Sequence, residues 1–204
     1  MSQSFEIFVL FIVVAALAYR LFSMLGKETP MSVPPEVQKA AEEAYAQFAQ
    51  KNKLTFAKDS EEPLKEILAK FPFSVPEFVI GAKKAFEMVL SAFAKADIEP
   101  LKNLLSPKLF KTFDTEIKRR KKEKQSGEFE LIRFKSVSVE HASYKGSTVS
   151  LSLLFETEQV NVLKDSKGKT VSGSTEMIES GSDTWTFEKD MNNTDSLWTI
   201  VEVA

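Results

Sequence analysis

Lys118-Arg-Arg-Lys-Lys-Glu-Lys124 concentrates more charge than any other stretch of this chain. Six cations in seven residues, at the end of a segment with helical periodicity, allow two readings. Cations near a helix C-terminus complement the macrodipole and otherwise sit solvated. Beside an anionic membrane leaflet, the same residues gain about 1 kcal/mol each when close to the surface. Lys118, Arg119, Arg120, Lys121, Lys122 and Lys124 are therefore the candidate contacts with lipid or a protein partner. Nucleic acid is not the expected partner. The run has no interleaved aromatics for base stacking, and the net charge of the chain is −2.

The residues that commonly carry catalysis are sparse. There is no cysteine, which removes disulfides, thiolate nucleophiles and cysteine zinc sites together. The single histidine, His141, excludes sites built on several imidazoles. It shares strand parity with Val137 and Val139, so it is predicted to face the core or a cavity, as a satisfied structural residue or, with Asp183, as a general base. The sequence has no G-x-S-x-G, glycine-rich phosphate loop, H-E-x-x-H or calcium loop. Gly81-Ala-Lys-Lys84 has a lysine near a glycine and nothing else of a phosphate cradle. No catalytic residue, metal or cofactor is expected, and the chain is read as a non-enzyme.

Aromatic residues are the other resource. Phenylalanine alone occurs 17 times, and hydrophobic residues make up 43% of the chain, enough for a sizeable core. Phe86, Phe93, Trp185, Phe187 and Trp198 are most simply core residues. The alternative is that a helix layer and a curved sheet leave an apolar pocket between them, lined by these rings.

The elements that must position these residues begin at the N-terminus. Phe5 to Leu25 is apolar, with no charge from Ile7 to Tyr19. A helix of about 20 residues crosses a ~30 Å hydrocarbon core, so 5–25 is predicted to be a transmembrane anchor. Ile7, Phe8, Leu10, Phe11, Ile12, Val13 and Leu17 face lipid in this reading, and Tyr19 and Arg20 sit at the interface. A cleavable signal is the competing reading, because Ala16-Leu-Ala18 resembles a cleavage site; the lack of basic residues before the apolar run argues against it. Arg20 and Lys27 follow the span, which orients the body toward the cytoplasm. Residues 26–72 read as a proline-containing linker and peripheral helices, one of them from Glu36 to Lys51 and one from Ser60 to Phe71.

Residues 73–204 form the main domain. Phe78, Ala82, Phe86, Val89 and Phe93 mark a central helix, with Ser74 and Glu77 as a capping box. Gly81, costly inside a helix by about 1 kcal/mol, predicts the close approach of another backbone. Leu101, Leu104 and Leu105 form a further stripe, and Ser106-Pro107 starts a helix running to about Lys124, with Gly127 as its stop. Strands follow from Ser136. Val149 to Phe155 and Val160 to Val162 have opposite parity, which predicts a bulge near Thr157. Helices first and an antiparallel meander afterwards give an α+β domain with helices on one face of a curved sheet.

Four blocks also resemble a known family in its own order: Val79-Ile-Gly-Ala-Lys-Lys-Ala-Phe-Glu87, Ala92-Phe-Ala-Lys-Ala-Asp97, Leu101-Lys-Asn-Leu-Leu-Ser106, and Asp183-Thr-Trp-Thr-Phe-Glu-Lys-Asp190 with Trp198. They are similar to the C-terminal domain of the mitochondrial import-motor scaffold, the Tim forty-four-like family, and in particular to its alphaproteobacterial TimA type. Ala96 stands where many relatives have glycine. The resemblance implies a cystatin-like cone, association with anionic membrane lipids, and an adaptor role in protein translocation or membrane-protein quality control. It implies a bacterial inner-membrane location, or the matrix side of the mitochondrial inner membrane, and a partner such as a translocon or an Hsp70-type chaperone. The long chaperone-recruiting region of the mitochondrial scaffold has no counterpart here. A small-molecule-binding or enzymatic cone is the alternative.

Overall fold

The computed structural model describes residues 47–50 and 54–204. The predicted anchor 5–25, the linker after it and most of the Glu36–Lys51 helix lie outside these residues. Among the described residues no helix is long and apolar enough to cross a membrane. Residues 47–50 are helical, and Phe48 and Ala49 pack against the core.

A short strand β1 (Leu54–Phe56) leads into α1 (Glu61–Lys70). The hinge between them is Ser60, fully buried. Its Oγ lies 2.9 Å from the Ala57 carbonyl and 2.8 Å from the Val139 carbonyl. The hydroxyl therefore ties the helix start to the sheet rather than capping the helix.

The central helix, α2 (Val75–Lys95), begins as its sequence requires. Ser74 Oγ accepts a hydrogen bond from the Glu77 amide at 3.2 Å, with Pro76 in the first turn. Phe78, Val79, Ala82, Phe86, Val89 and Ala92 form its buried stripe. It ends at Ala96, held at φ 56°, ψ 33°. In that left-handed region a Cβ crowds the backbone, so glycine is the favoured residue. Asp97 then caps α3 (Ile98–Leu104), accepting from the Glu99 amide at 3.3 Å. Ser106 caps α4 (Pro107–Lys122), accepting from the Leu109 amide at 3.3 Å.

Gly81 does not admit a neighbouring backbone. A Cβ placed there would meet nothing within 4 Å, so the predicted close approach is absent. The position opens on a surface groove lined by Phe78, Phe187 and Trp198.

The sheet is mixed and has six strands: β1, β2 (Ser126–Lys145), β3 (Thr148–Lys164), β4 (Thr170–Gly173), β5 (Glu179–Asp190) and β6 (Thr199–Val203). The order is β1-β2-β3-β5-β6, with β4 pairing β3 beyond the start of β5. All neighbours are antiparallel except β1, which runs parallel to β2. β1 has no place in the predicted meander, because three residues are too few to show periodicity.

Two strand expectations change. β2 starts ten residues before Ser136, and Gly127 lies inside it; α4 ends instead at Glu123, with Lys124 turning the chain at φ 54°. The irregularity near Thr157 is on the partner strand. β3 pairs β5 without a break from Thr148↔Asp190 to Gln159↔Glu179. β2 carries the extra residues, between Leu131 and Arg133, Phe134 and Ser136, and Val139 and His141. These bulges let a 20-residue strand bend around the helices. The last one also reverses side-chain parity, so His141 is exposed and Ala142 is buried.

The core lies between α2 and the concave face. Phe86 is the central ring, with centroids 4.8 Å from Trp185, 4.9 Å from Phe155 and 5.6 Å from Phe134.

Candidate interaction surface and cleft

On α4 the buried positions fall at Ile117 and Arg120. The face turned away from them exposes Lys108, Lys111, Lys118 and Lys122, while Lys121, one turn after Ile117, is exposed on its flank. At 1.5 Å per residue, this basic face runs about 20 Å along the helix. Lys108 and Lys111 belong to it, and reading only the terminal run missed them. The signal was present as lysines at 108, 111, 118 and 122, spaced to share one side of a helix.

The predicted contact residues do not act alike. Lys118 pairs with Asp114 at 2.7 Å, and Arg119 pairs with Glu116 at 2.7 Å and Glu123 at 2.6 Å. Hydrogen bonds and charge from Arg119 hold the Glu116 carboxyl below its ordinary range. Lys121, Lys122 and Lys124 are exposed and have no ion-pair partner among the described residues.

Arg120 leaves the surface altogether. Its side chain is 9% exposed and turns inward, where Nη2 donates to the Phe93 carbonyl at 2.7 Å. The guanidinium stacks 4.0 Å from the centroid of the Phe93 ring. Its place as a surface contact is corrected by helix phase, since it lies three residues beyond buried Ile117.

The five rings predicted to line one pocket are divided. Phe86, Trp185 and Phe187 are at most 2% exposed, so they are packed core. Phe187 still floors the groove beside Trp198, whose ring lies 4.5 Å from Phe78. Phe93 lines a different cleft of about 370 Å³, between the C-terminal half of α2, α4 and the ends of β2 to β5.

His141 and Asp183 are not brought together. His141 pairs with Ser152 and points outward, whereas Asp183 pairs with Phe155, two strands away from β2's histidine and three positions along. Burial raises the Asp183 carboxyl above its ordinary value. Among the described residues no group of three or more His, Cys, Asp or Glu side chains is arranged to hold a metal ion.

Residues 60–204 match the family model of the Tim44-like domain. This chain belongs to the Tim44-like family. Its Tim44-like domain is 24% identical over 132 residues to mitochondrial import inner membrane translocase subunit TIM44-1 of Arabidopsis thaliana. That stretch is 64% of this chain and 28% of the plant protein, so the chain corresponds to a minor part of that relative. The crystal structure of the intermembrane space region of the chloroplast protein ARC6 aligns with a TM-score of 0.46 and 16% identity, over 65% of this chain and 97% of that one. The Tim44-like domain thus accounts for α1 through β6, and the four sequence blocks fall within it.

Proposed function

We infer that this Tim44-like protein is a non-enzymatic adaptor of protein translocation that works at a membrane surface. The match over residues 60–204 carries this reading, together with the plant relative named as an import translocase subunit. Residues 5–25 supply the anchor, oriented by Arg20 and Lys27, and the linker holds the domain near the bilayer. The TimA type in a bacterial inner membrane, with the domain cytoplasmic, fits this arrangement. The partner is a protein, such as a translocon component or an Hsp70-type chaperone.

The basic face of α4 is the contact that the geometry favours. Lys108, Lys111, Lys118 and Lys122 share one side of the helix, and exposed Lys121 and Lys124 add positive charge beside its end. Each contributes about 1 kcal/mol against an anionic leaflet, falling off within a Debye length. The arrangement also suits an acidic protein surface.

The test floats a version trimmed of residues 1–25 with vesicles of phosphatidylglycerol and phosphatidylethanolamine, beside in vivo cross-linking of the full chain from Lys122. Charge reversal at Lys108 and Lys111 should release the trimmed version from the vesicles and erase cross-links from Lys122 to translocase components. Unchanged flotation rejects the lipid contact, and cross-links confined to unrelated soluble enzymes reject the adaptor role.

A further inference from the structure

The cleft beside Phe93 contains an anomaly that the adaptor role does not use. A guanidinium has five N–H donors, and among the described residues Arg120 uses one, toward the Phe93 carbonyl. Its Nε is buried and has no hydrogen-bond partner. The nearest carboxylate oxygen, on Glu116, is 3.8 Å from Nε. Glu116 is instead held by Arg119, which it binds through both oxygens at 2.7 and 2.8 Å. A buried guanidinium N–H left without an acceptor is costly unless one is supplied.

We propose that the Arg120 cleft is a binding site for a carboxylate carried on an apolar body. The guanidinium edge offers parallel donors to a planar carboxylate. Leu90, Phe93 and Phe129 form the apolar walls that receive the body, and Asn161 on β3 adds an amide. Gly127 keeps the flank clear: a Cβ there would stand 3.0 Å from Arg120 Nη1. The volume, about 370 Å³, lies within the ordinary range for small-ligand sites.

The rim selects a single negative charge. Glu128 is neutralised by Lys164 at 2.6 Å and Glu116 by Arg119. Glu179 has no ion-pair partner among the described residues and disfavours a dianion such as phosphate. Burial pushes the Arg120 guanidinium down from its ordinary value, and the charge of Glu116 offsets this only in part. The carboxylate can belong to a small organic acid or to the C-terminus of a polypeptide ending in an apolar residue.

The experiment titrates the full-length chain with 4-phenylbutyrate, with the peptide acetyl-Ala-Ala-Phe as its free acid, and with the same peptide amidated. The readout is the ¹H–¹⁵N signal of the Arg120 Nε group. A saturable shift with either acid, at least tenfold weaker with the amide, supports the site. Preference for phenylbutyrate assigns it to small acids, and preference for the peptide acid assigns it to chain ends. Arg120→Lys, which lacks the Nε reporter and is followed by titration calorimetry, should weaken binding at least tenfold. Because that change also loosens two helices, Leu90→Trp is the control: it fills the cleft while leaving the Arg120–Phe93 bond, and should abolish the shift. No shift with either acid, or equal binding of acid and amide, overturns the proposal. Neither result bears on the lysine face, which points away from the cleft.

Discussion

Arg120 and Phe93, 27 residues apart, are joined twice: Nη2 bonds the Phe93 carbonyl at 2.7 Å, and the guanidinium plane covers its ring at 4.0 Å. This contact fastens the last turn of α4 to the last turns of α2. The Phe93 carbonyl accepts from the Ala96 amide at 3.2 Å, and the arginine of the neighbouring helix adds a second, charged donor to its other lone pair. The basic end of α4 is consequently held in one place relative to the core.

Arg120→Ala should therefore lower stability by about 2 kcal/mol, combining the lost charge-assisted bond, the stacking and the buried stem. Urea denaturation of a version trimmed of residues 1–25 measures it. A change within a few tenths of a kcal/mol means that the desolvation cost of the guanidinium already cancels its contacts.

Ala96 predicts the opposite sign. Its φ of 56° suits glycine, and relieving the Cβ clash is worth about 1 kcal/mol. Ala96→Gly should raise stability by that amount, read as a higher denaturation midpoint at unchanged slope. A lower midpoint would show that the added freedom of the unfolded chain outweighs the relief.

Asp183 makes stability depend on pH in an unusual direction for a carboxylate. Burial raises its folded-state pKa, so the native state binds the proton more tightly than the unfolded state. Its contribution is fully favourable below the ordinary aspartate value and is lost as pH rises through the raised one. Asp183→Asn should accordingly stabilise the protein at pH 7, with the gain fading as pH falls through the raised value and gone below about 4. Paired denaturation curves at pH 7 and pH 3.5 decide it, and a gain that is the same at both points away from ionisation.

Ser60→Ala tests the join between β1 and α1. The hydroxyl is fully buried and within reach of two carbonyls, so its loss should cost about 1–2 kcal/mol. Hydrogen exchange should quicken locally at the Ala57 amide, which donates to the Val139 carbonyl at 3.0 Å. Exchange that stays slow there would show that the strand holds without the serine.

The central ring predicts the largest loss. Phe86 is fully buried against Trp185, Phe155 and Phe134. Phe86→Ala should destabilise by about 3–5 kcal/mol, read by thermal unfolding. A smaller loss would mean that the curved sheet collapses onto the gap.

What the sequence determined by itself was local. The caps at Ser74 and Ser106, the buried stripe of α2 and the α+β class follow from hydrogen-bond chemistry and helix period, which act over a few residues. Four short blocks in order were enough to indicate the family. The fold decided what depends on distant partners. Three residues of β1 gain meaning only from Val137 to Val139. A bulge in β2 turns His141 outward, because one extra residue reverses every side chain after it. Above all, Arg120 reads as one more cation in a basic run until α4 packs on α2. Charge is written in the sequence, but whether a charge meets water or the Phe93 ring is set by helix phase against a neighbour about 30 residues away.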